Sequence, residues 1–386
     1  MAEAKKKKIV WVTAVDSSVI TTFLDQMIIL KEHGYELTAI SSQEFPETPE
    51  LCRKLGIDFI EVPIHRGLSP VQDLVSIYRL YRVFRRRRFD LIHTQMPKGT
   101  LVGAIAGRLA GIPVINTARP FFREMPEGLA RRVFVWIERL AGMFTDLIMV
   151  ENPLDYEMYL ELGIAGKDKL HVQGNGADLS RFNASQFTKA DLDKLREELG
   201  IPSSSRVIGI VARYIIEKGY LELFSAFKEL REKYPDLFIL AAAAHMPSEK
   251  GLVPKDLPEK MGIADRMILV ENRSDMERLY PLMDVVVLPT HRDSFPRSLV
   301  EAAAMARPIV ATDIVGCRII IEDGTNGILI PPKDAKALAA AIARLLDDPA
   351  YGRKLAENAR KTAIARFDAQ KICRNISDCY RKLLPN

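Results

Sequence analysis

Short apolar runs recur along this chain in two series, with helical patterns filling the intervals. The first series is IVWVTAV (9–15), ELTAIS (36–41), DFIEVP (58–63), DLIHTQ (90–95), PVINTA (113–118), DLIMVE (146–151) and KLHVQG (169–174). The second is RVIGIVA (206–212), LFILAAA (237–243), RMILVE (266–271), DVVVLP (284–289), PIVATD (308–313) and GILIPP (327–332). Runs this short, with little polar alternation, fit strands buried on both faces, and the helices between them supply the cover. The chain of 386 residues is long enough for two such cores. The pattern predicts an α/β protein of two doubly wound, Rossmann-like domains facing each other across a cleft. The first domain is expected over 1–178 and the second over 205–368, with the polar segment 179–204, carrying IPSSSR, as a linker. Helical patterns at 335–347, 350–366 and 369–384 close the chain.

Composition narrows the setting. No apolar run reaches the roughly 20 residues that span a bilayer, and MAEAKKKK leads straight into a strand rather than a signal-peptide core. Cys52, Cys317, Cys373 and Cys379 have neither metal-ligand spacing nor a disulfide framework, so a reduced, cytoplasmic protein is expected. The net charge of +5 is unevenly spread: Arg79 to Arg139 holds 13 Lys/Arg against 4 Asp/Glu. Two segments there, IYRLYRVFRRRRF (77–89) and FFREMPEGLARRVFVWIERLAG (121–142), mix arginine with aromatics, including Phe121, Phe122 and Trp136. Leu80, Tyr81 and Phe84 fit a buried helix face, with Arg85 to Arg88 as a solvated last turn favoured by the helix dipole. Equally, Arg85, Arg86, Arg87, Arg88, Arg131 and Arg132 fit an anionic membrane surface with aromatics at the interface. No nucleic-acid motif accompanies the charge, so no nucleic-acid partner is expected.

The segment HRDSFPRSLVEAAAMARPIVATD (291–313) carries the strongest chemical signal. Asp293 lies on a loop after an apolar strand, Pro296 is suited to open a helix, and Glu301 follows eight positions after Asp293. The amides of Arg297, Ser298 and Leu299 would point into that loop and make an anion site at the helix N-terminus. Arg213 and Lys218 follow the strand RVIGIVA, at the end of a parallel sheet where ligands bind. Other motifs fail on context. The DLD at 191–193 sits in a polar helical pattern rather than after a strand, and the first strand is followed by AVDSSVITTF without the glycines of a dinucleotide fold. The six histidines are scattered.

The pair Asp293/Glu301 resembles the E-x7-E motif of the retaining family 4 glycosyltransferases, which have the GT-B fold. Arg213 and Lys218 resemble that family's R-x4-K pair. AAAMARPIVATD, EDGTNGILIPP and GNGADLSRF (174–182) are similar to family segments, and DLIHTQMPKGTLVGAIAGRLAGIPVINTARP (90–120) is similar to its bacterial surface-polysaccharide branch. The resemblance implies a UDP-sugar donor whose diphosphate is held by Arg213 and Lys218. It gives Asp293 the donor sugar hydroxyls and Glu301 the ribose, and puts Arg297, Ser298, Leu299 and Arg273 in the donor site. Lys98 and Arg119 would face the cleft on the acceptor side, as would His93, which fits a satisfied histidine at a strand end equally well. No metal or other cofactor is implied, because fixed cations and helix amides stabilise the leaving group. The acceptor would be a lipid-linked, polyprenyl-diphosphate saccharide, with the protein peripheral on the inner face of the cell membrane. The last helix, 369–386, would return to complete the first domain. Four features depart from the family pattern: Asp293 replaces glutamate, Ser294 glycine, Arg119 a common histidine, and AAAAHMP (241–247) a Gly-rich turn. They leave open a GT-B enzyme on a soluble acceptor, a nucleotide-sugar epimerase, or a non-catalytic sugar-nucleotide-binding protein.

Overall fold

The computed structural model describes residues 6–65, 67, 69–120, 125, 127–243 and 251–384. Phe121, Phe122 and residues 244–247 of the AAAAHMP turn lie outside these. The chain divides into two compact units, residues 1–175 with 369–386, and residues 176–368.

The first unit is built on seven parallel strands: β1 (Lys8–Val15), β2 (Glu36–Ser42), β3 (Asp58–Glu61), β4 (Leu91–Gln95), β5 (Val114–Ala118), β6 (Leu147–Val150) and β7 (Leu170–Val172). Their order is β3-β2-β1-β4-β5-β6-β7. The chain winds outward from β1 to β3, then returns to β4 on the other side of β1, so the direction of winding reverses between β1 and β4. Because side chains alternate across a strand, Ile9 and Trp11 enter one core while Val10 and Val12 enter another. The Trp11 core also receives Ile372, Cys373, Ile376, Cys379 and Tyr380 from the final helix, Ala369–Leu383.

The second unit carries six parallel strands: β8 (Arg206–Val211), β9 (Leu237–Ala243), β10 (Met267–Glu271), β11 (Val285–Leu288), β12 (Ile309–Thr312) and β13 (Ile328–Ile330). The order is β10-β9-β8-β11-β12-β13. Helices Tyr220–Lys233 and Ala335–Asp347 pack into one core, and helices Arg297–Ala304 and Pro349–Arg366 into the other.

The linker expected at 179–204 is not one. It contains the helix Lys189–Leu199, and Phe182, Leu195 and Ile201 are buried in the core of the second unit. Three apolar anchors in a polar stretch suffice to dock it. Asp191 of the DLD motif closes a capping box with Thr188, which accounts for its helical N-terminus.

Candidate functional site

In the second unit, the loops after β8 and β11 bring two of the expected residues, Lys218 and Asp293, into contact. Arg213 is half-buried just beyond β8, followed by a short 3-10 turn, Ile216–Lys218. Gly219 then adopts φ 82°, and a Cβ there would collide with the Pro289 carbonyl oxygen. Only glycine lets the β11 loop approach this closely. That approach sets the Lys218 ammonium 2.6 Å from Asp293 Oδ2 and 3.4 Å from the Arg292 carbonyl oxygen. Lys218 is buried, and the second oxygen of Asp293 accepts the Phe295 amide at 3.2 Å. The shorter aspartate is therefore held at both oxygens, with lone pairs left for a ligand.

The helix after this loop starts one residue later than expected. Pro296 is the N-cap, with ψ 94°, and Arg297 is the first helical residue. The Leu299 amide donates to the Pro296 carbonyl at 3.0 Å, so Leu299 is withdrawn from the anion site. Arg297, Ser298 and Glu301 are half-buried. The Glu301 carboxylate is fixed by a residue the sequence reading missed: the buried Tyr280 hydroxyl lies 2.8 Å from Glu301 Oε2 and 3.2 Å from the Ser298 carbonyl. Burial, and then the neighbouring Glu301, push the Tyr280 phenol well above its usual range, so it stays a donor. Cys317 also adjoins the pair, and burial followed by Asp293 pushes its thiol up to about 12. Arg273 is held by Asp275 at 2.8 and 2.6 Å and by Glu198 at 3.1 Å, so its assignment to the donor site is withdrawn. Among the described residues, no group of three or more His, Cys, Asp or Glu could hold a metal ion.

In the first unit, the expected acceptor residues separate. His93 is fully buried, with Nδ1 2.6 Å from the Tyr380 hydroxyl and Nε2 2.7 Å from Thr117 Oγ1. Tyr380 also accepts the Trp11 indole N–H at 3.0 Å. Burial, and then Arg119, hold the imidazole well below its usual 6.5, so it is neutral and ties the sheet to the last helix rather than facing a ligand. Lys98 is 2.6 Å from Asp73 and nearly buried, which commits its charge within the unit. Arg119 is different. It donates to Glu151 and to Gln95, each at 2.7 Å, and its guanidinium lies 4.7 Å from the Phe23 ring. Its Nη2 is buried without an acceptor among the described residues. A rigidly held arginine whose buried Nη2 has no acceptor among the described residues, at the carboxyl ends of β4 to β6, has the form of a ligand contact.

The basic aromatic segments also divide. Leu80 and Phe84 of helix Pro70–Arg87 are core, and Arg85 to Arg88 are exposed at its end, Arg87 3.5 Å from Asp58. Arg131 is half-buried and 3.2 Å from Glu127, while Arg132 is exposed. The exposed apolar residues are others: Val71, Leu74, Val75 and Tyr78 on that helix, and Leu129, Val133, Trp136 and Met143 on helix Leu129–Met143. Each set falls on one helical stripe. A groove of about 840 Å³ beside the first stripe is lined by Arg79, Arg82, Arg85 and Arg86 with Glu61. Among the described residues, no helix is long and apolar enough to cross a membrane.

Two family models match the chain, a glycosyl transferase 4-like domain over residues 19–176 and glycosyl transferases group 1 over residues 191–362. The chain is 25% identical over 375 residues to the UDP-Gal:alpha-D-GlcNAc-diphosphoundecaprenol alpha-1,3-galactosyltransferase of Escherichia coli, with 96% of this chain and 95% of that protein covered. It is 28% identical over 332 residues to the capsular polysaccharide biosynthesis glycosyltransferase CapM of Staphylococcus aureus, covering 84% of each. The structure of Anabaena Alr3699/HepE in complex with UDP and glucose matches with a TM-score of 0.83 at 21% identity, over 97% of this chain and 100% of that one. The two Rossmann-like units and these matches define the GT-B class of glycosyltransferases. Within that class, the chain belongs to the family 4 glycosyltransferases, akin to those of bacterial capsular and surface polysaccharide assembly.

Proposed function

We propose that this glycosyltransferase takes a UDP-sugar donor, retains the anomeric configuration, needs no metal ion, and acts on a lipid-linked saccharide at the inner face of the cell membrane. The contact between Lys218 and Asp293, 2.6 Å apart beside the start of helix Arg297–Ala304, carries the reading. Expelling a nucleoside diphosphate develops negative charge, and Arg213, Lys218 and the helix amides at Arg297 and Ser298 would stabilise it. Asp293 would take the donor sugar hydroxyls and Glu301, steadied by Tyr280, the ribose. Arg119 would donate from Nη2 to an acceptor oxygen. With the leaving phosphate assisting deprotonation of the acceptor, no protein nucleophile is required. The lipid-linked acceptor is supported by the acceptor in the E. coli relative's name, and the membrane by the two exposed apolar stripes with arginines beside them. Cationic side chains meet anionic headgroups while the stripes enter the interface.

Transfer from radiolabelled UDP-sugars to a short-chain GlcNAc-diphospholipid, in excess chelator, tests the reading. Turnover should persist in chelator and fall about 10²-fold or more in Lys218→Ala. Activity that disappears in chelator and returns with magnesium or manganese would overturn metal independence. Unchanged activity in Lys218→Ala would overturn the donor site.

A further inference from the structure

Two segments of the second unit are joined by three side-chain pairs of alternating polarity. Arg292 Nη2 is 3.1 Å from Glu217 Oε2, Lys218 Nζ is 2.6 Å from Asp293 Oδ2, and His291 Nε2 is 2.9 Å from Glu222 Oε1. One segment is the turn Ile216–Lys218 with the first residues of helix Tyr220–Lys233, and the other is the loop after β11. In the proposed function the middle pair meets the donor. Lys218 and Asp293 must then share their hydrogen-bonding atoms with diphosphate and sugar, so the side-chain links left to hold the two segments in register are the outer pairs.

Those outer pairs are unequal. The side chains of Arg292 and Glu217 are 49% and 35% exposed, where solvent and salt screen the attraction. Those of His291 and Glu222 are 20% and 13% exposed. The His291 amide also donates to the Glu217 carbonyl at 2.8 Å, and Thr290 Oγ1 donates to the same oxygen at 3.2 Å. His291 is therefore fixed at its backbone and at its ring. Glu222 Oε2 is buried with no hydrogen-bond partner among the described residues, so the carboxylate has no second donor to turn to when the imidazole is removed. His291 stands two residues before Asp293, and a shift of its ring anchor is carried directly to the acid.

We propose that His291 is a positioning residue of the donor site, acting through Glu222 to hold Asp293 in register with Lys218. The proposal rests on the reading of Lys218 and Asp293 as donor contacts. It is tested by steady-state UDP-sugar turnover, UDP titration calorimetry and thermal unfolding of the full chain. The variants are His291→Ala, His291→Gln, Glu222→Ala and the His291→Ala/Glu222→Ala double.

Misplacing Asp293 should lower kcat by about 10- to 100-fold in His291→Ala, leaving UDP affinity within about threefold because the uridine and diphosphate contacts remain. Glutamine offers an N–H to Glu222 at similar reach, so His291→Gln should recover most of kcat. The double variant should lose no more than the worse single one, as residues acting through one contact do. Wild-type kcat in His291→Ala would overturn the proposal. So would multiplicative losses in the double variant, or a glutamine variant as impaired as alanine with a matching fall in melting temperature. A wild-type chain that turns over no UDP-sugar overturns the functional reading itself, and this proposal with it.

Discussion

Two buried titratable groups in the first unit should pull its stability in opposite directions as pH rises from 5.0 to 6.5, and one substitution should expose this. Burial holds His93 neutral, well below its usual 6.5. Just below pH 6.5 the unfolded chain binds a proton there that the folded chain does not, so stability rises with pH. Glu138, on helix Leu129–Met143, is pushed by burial from 4.5 to about 7, against the Tyr159 hydroxyl 3.1 Å away. Between 4.5 and about 7 the folded chain holds a proton that the unfolded chain has lost, so stability falls with pH. The two slopes have opposite signs, and a full proton's difference between folded and unfolded chain is worth about 1.4 kcal/mol per pH unit. Glu138→Gln keeps the shape and the acceptor for Tyr159 but removes the second slope. Relative to wild type, the variant should gain about 2 kcal/mol as pH rises from 5.0 to 6.5, because 1.5 units at 1.4 kcal/mol each are no longer lost. Both tryptophans of the chain, Trp11 and Trp136, lie in the first unit, so tryptophan fluorescence during urea unfolding reports that unit. Taking the difference between variant and wild type removes every other titrating group. A difference that stays constant within about 0.5 kcal/mol across this range would refute the argument.

The hydroxyl of Tyr280 offers a second test. Tyr280→Phe keeps the ring against Phe182 but strips a donor from Glu301, a bond of a kind worth about 1.5–3 kcal/mol. UDP affinity by calorimetry should fall by about 3- to 10-fold if Glu301 holds the ribose, and unchanged affinity would remove Glu301 from that role. For the membrane face, flotation with anionic vesicles should weaken as salt rises from 0.1 to 1 M, since the Debye length shrinks from ~10 to ~3 Å. Neutralising Arg85 to Arg88 should remove ~1 kcal/mol of attraction each, and Leu129→Glu with Trp136→Glu should weaken binding even at high salt. Equal flotation of all variants would leave the stripes without a lipid role.

How far the sequence could be read depended on which physical signal each feature leaves. The strands were legible because a strand covered on both faces must be apolar almost throughout, as β1 shows with KIVWVTAV. The polar stretch at 179–204 misled because Phe182, Leu195 and Ile201 are too widely spaced to form a run, yet each is buried. His93 could not be decided locally. Its ring is held by Tyr380, 287 residues away, and no periodicity encodes that contact. Asp293, Glu301, Arg213 and Lys218 stood out through motif spacing, whereas Tyr280 did not, because a tyrosine within an apolar patch has no chemical mark until its hydroxyl is seen on a carboxylate. The basic helices showed arginine and aromatics together without showing which aromatics are core. Phe84 turned inward and Trp136 outward.

The last helix has a consequence for how the molecule is made. Trp11 and His93 leave the ribosome long before Tyr380, whose hydroxyl joins them. The second unit lies entirely between, at residues 176–368, so nothing it needs from its own compact unit follows it in translation. The first unit must wait with the pocket for Ile372, Ile376 and Tyr380 unfilled until the second unit has been made. Assembly therefore runs against the order of synthesis, with the later-made half complete before the earlier one. A nascent chain halted anywhere before residue 369 presents an open apolar groove on its oldest part, a natural substrate for chaperones that follow translation.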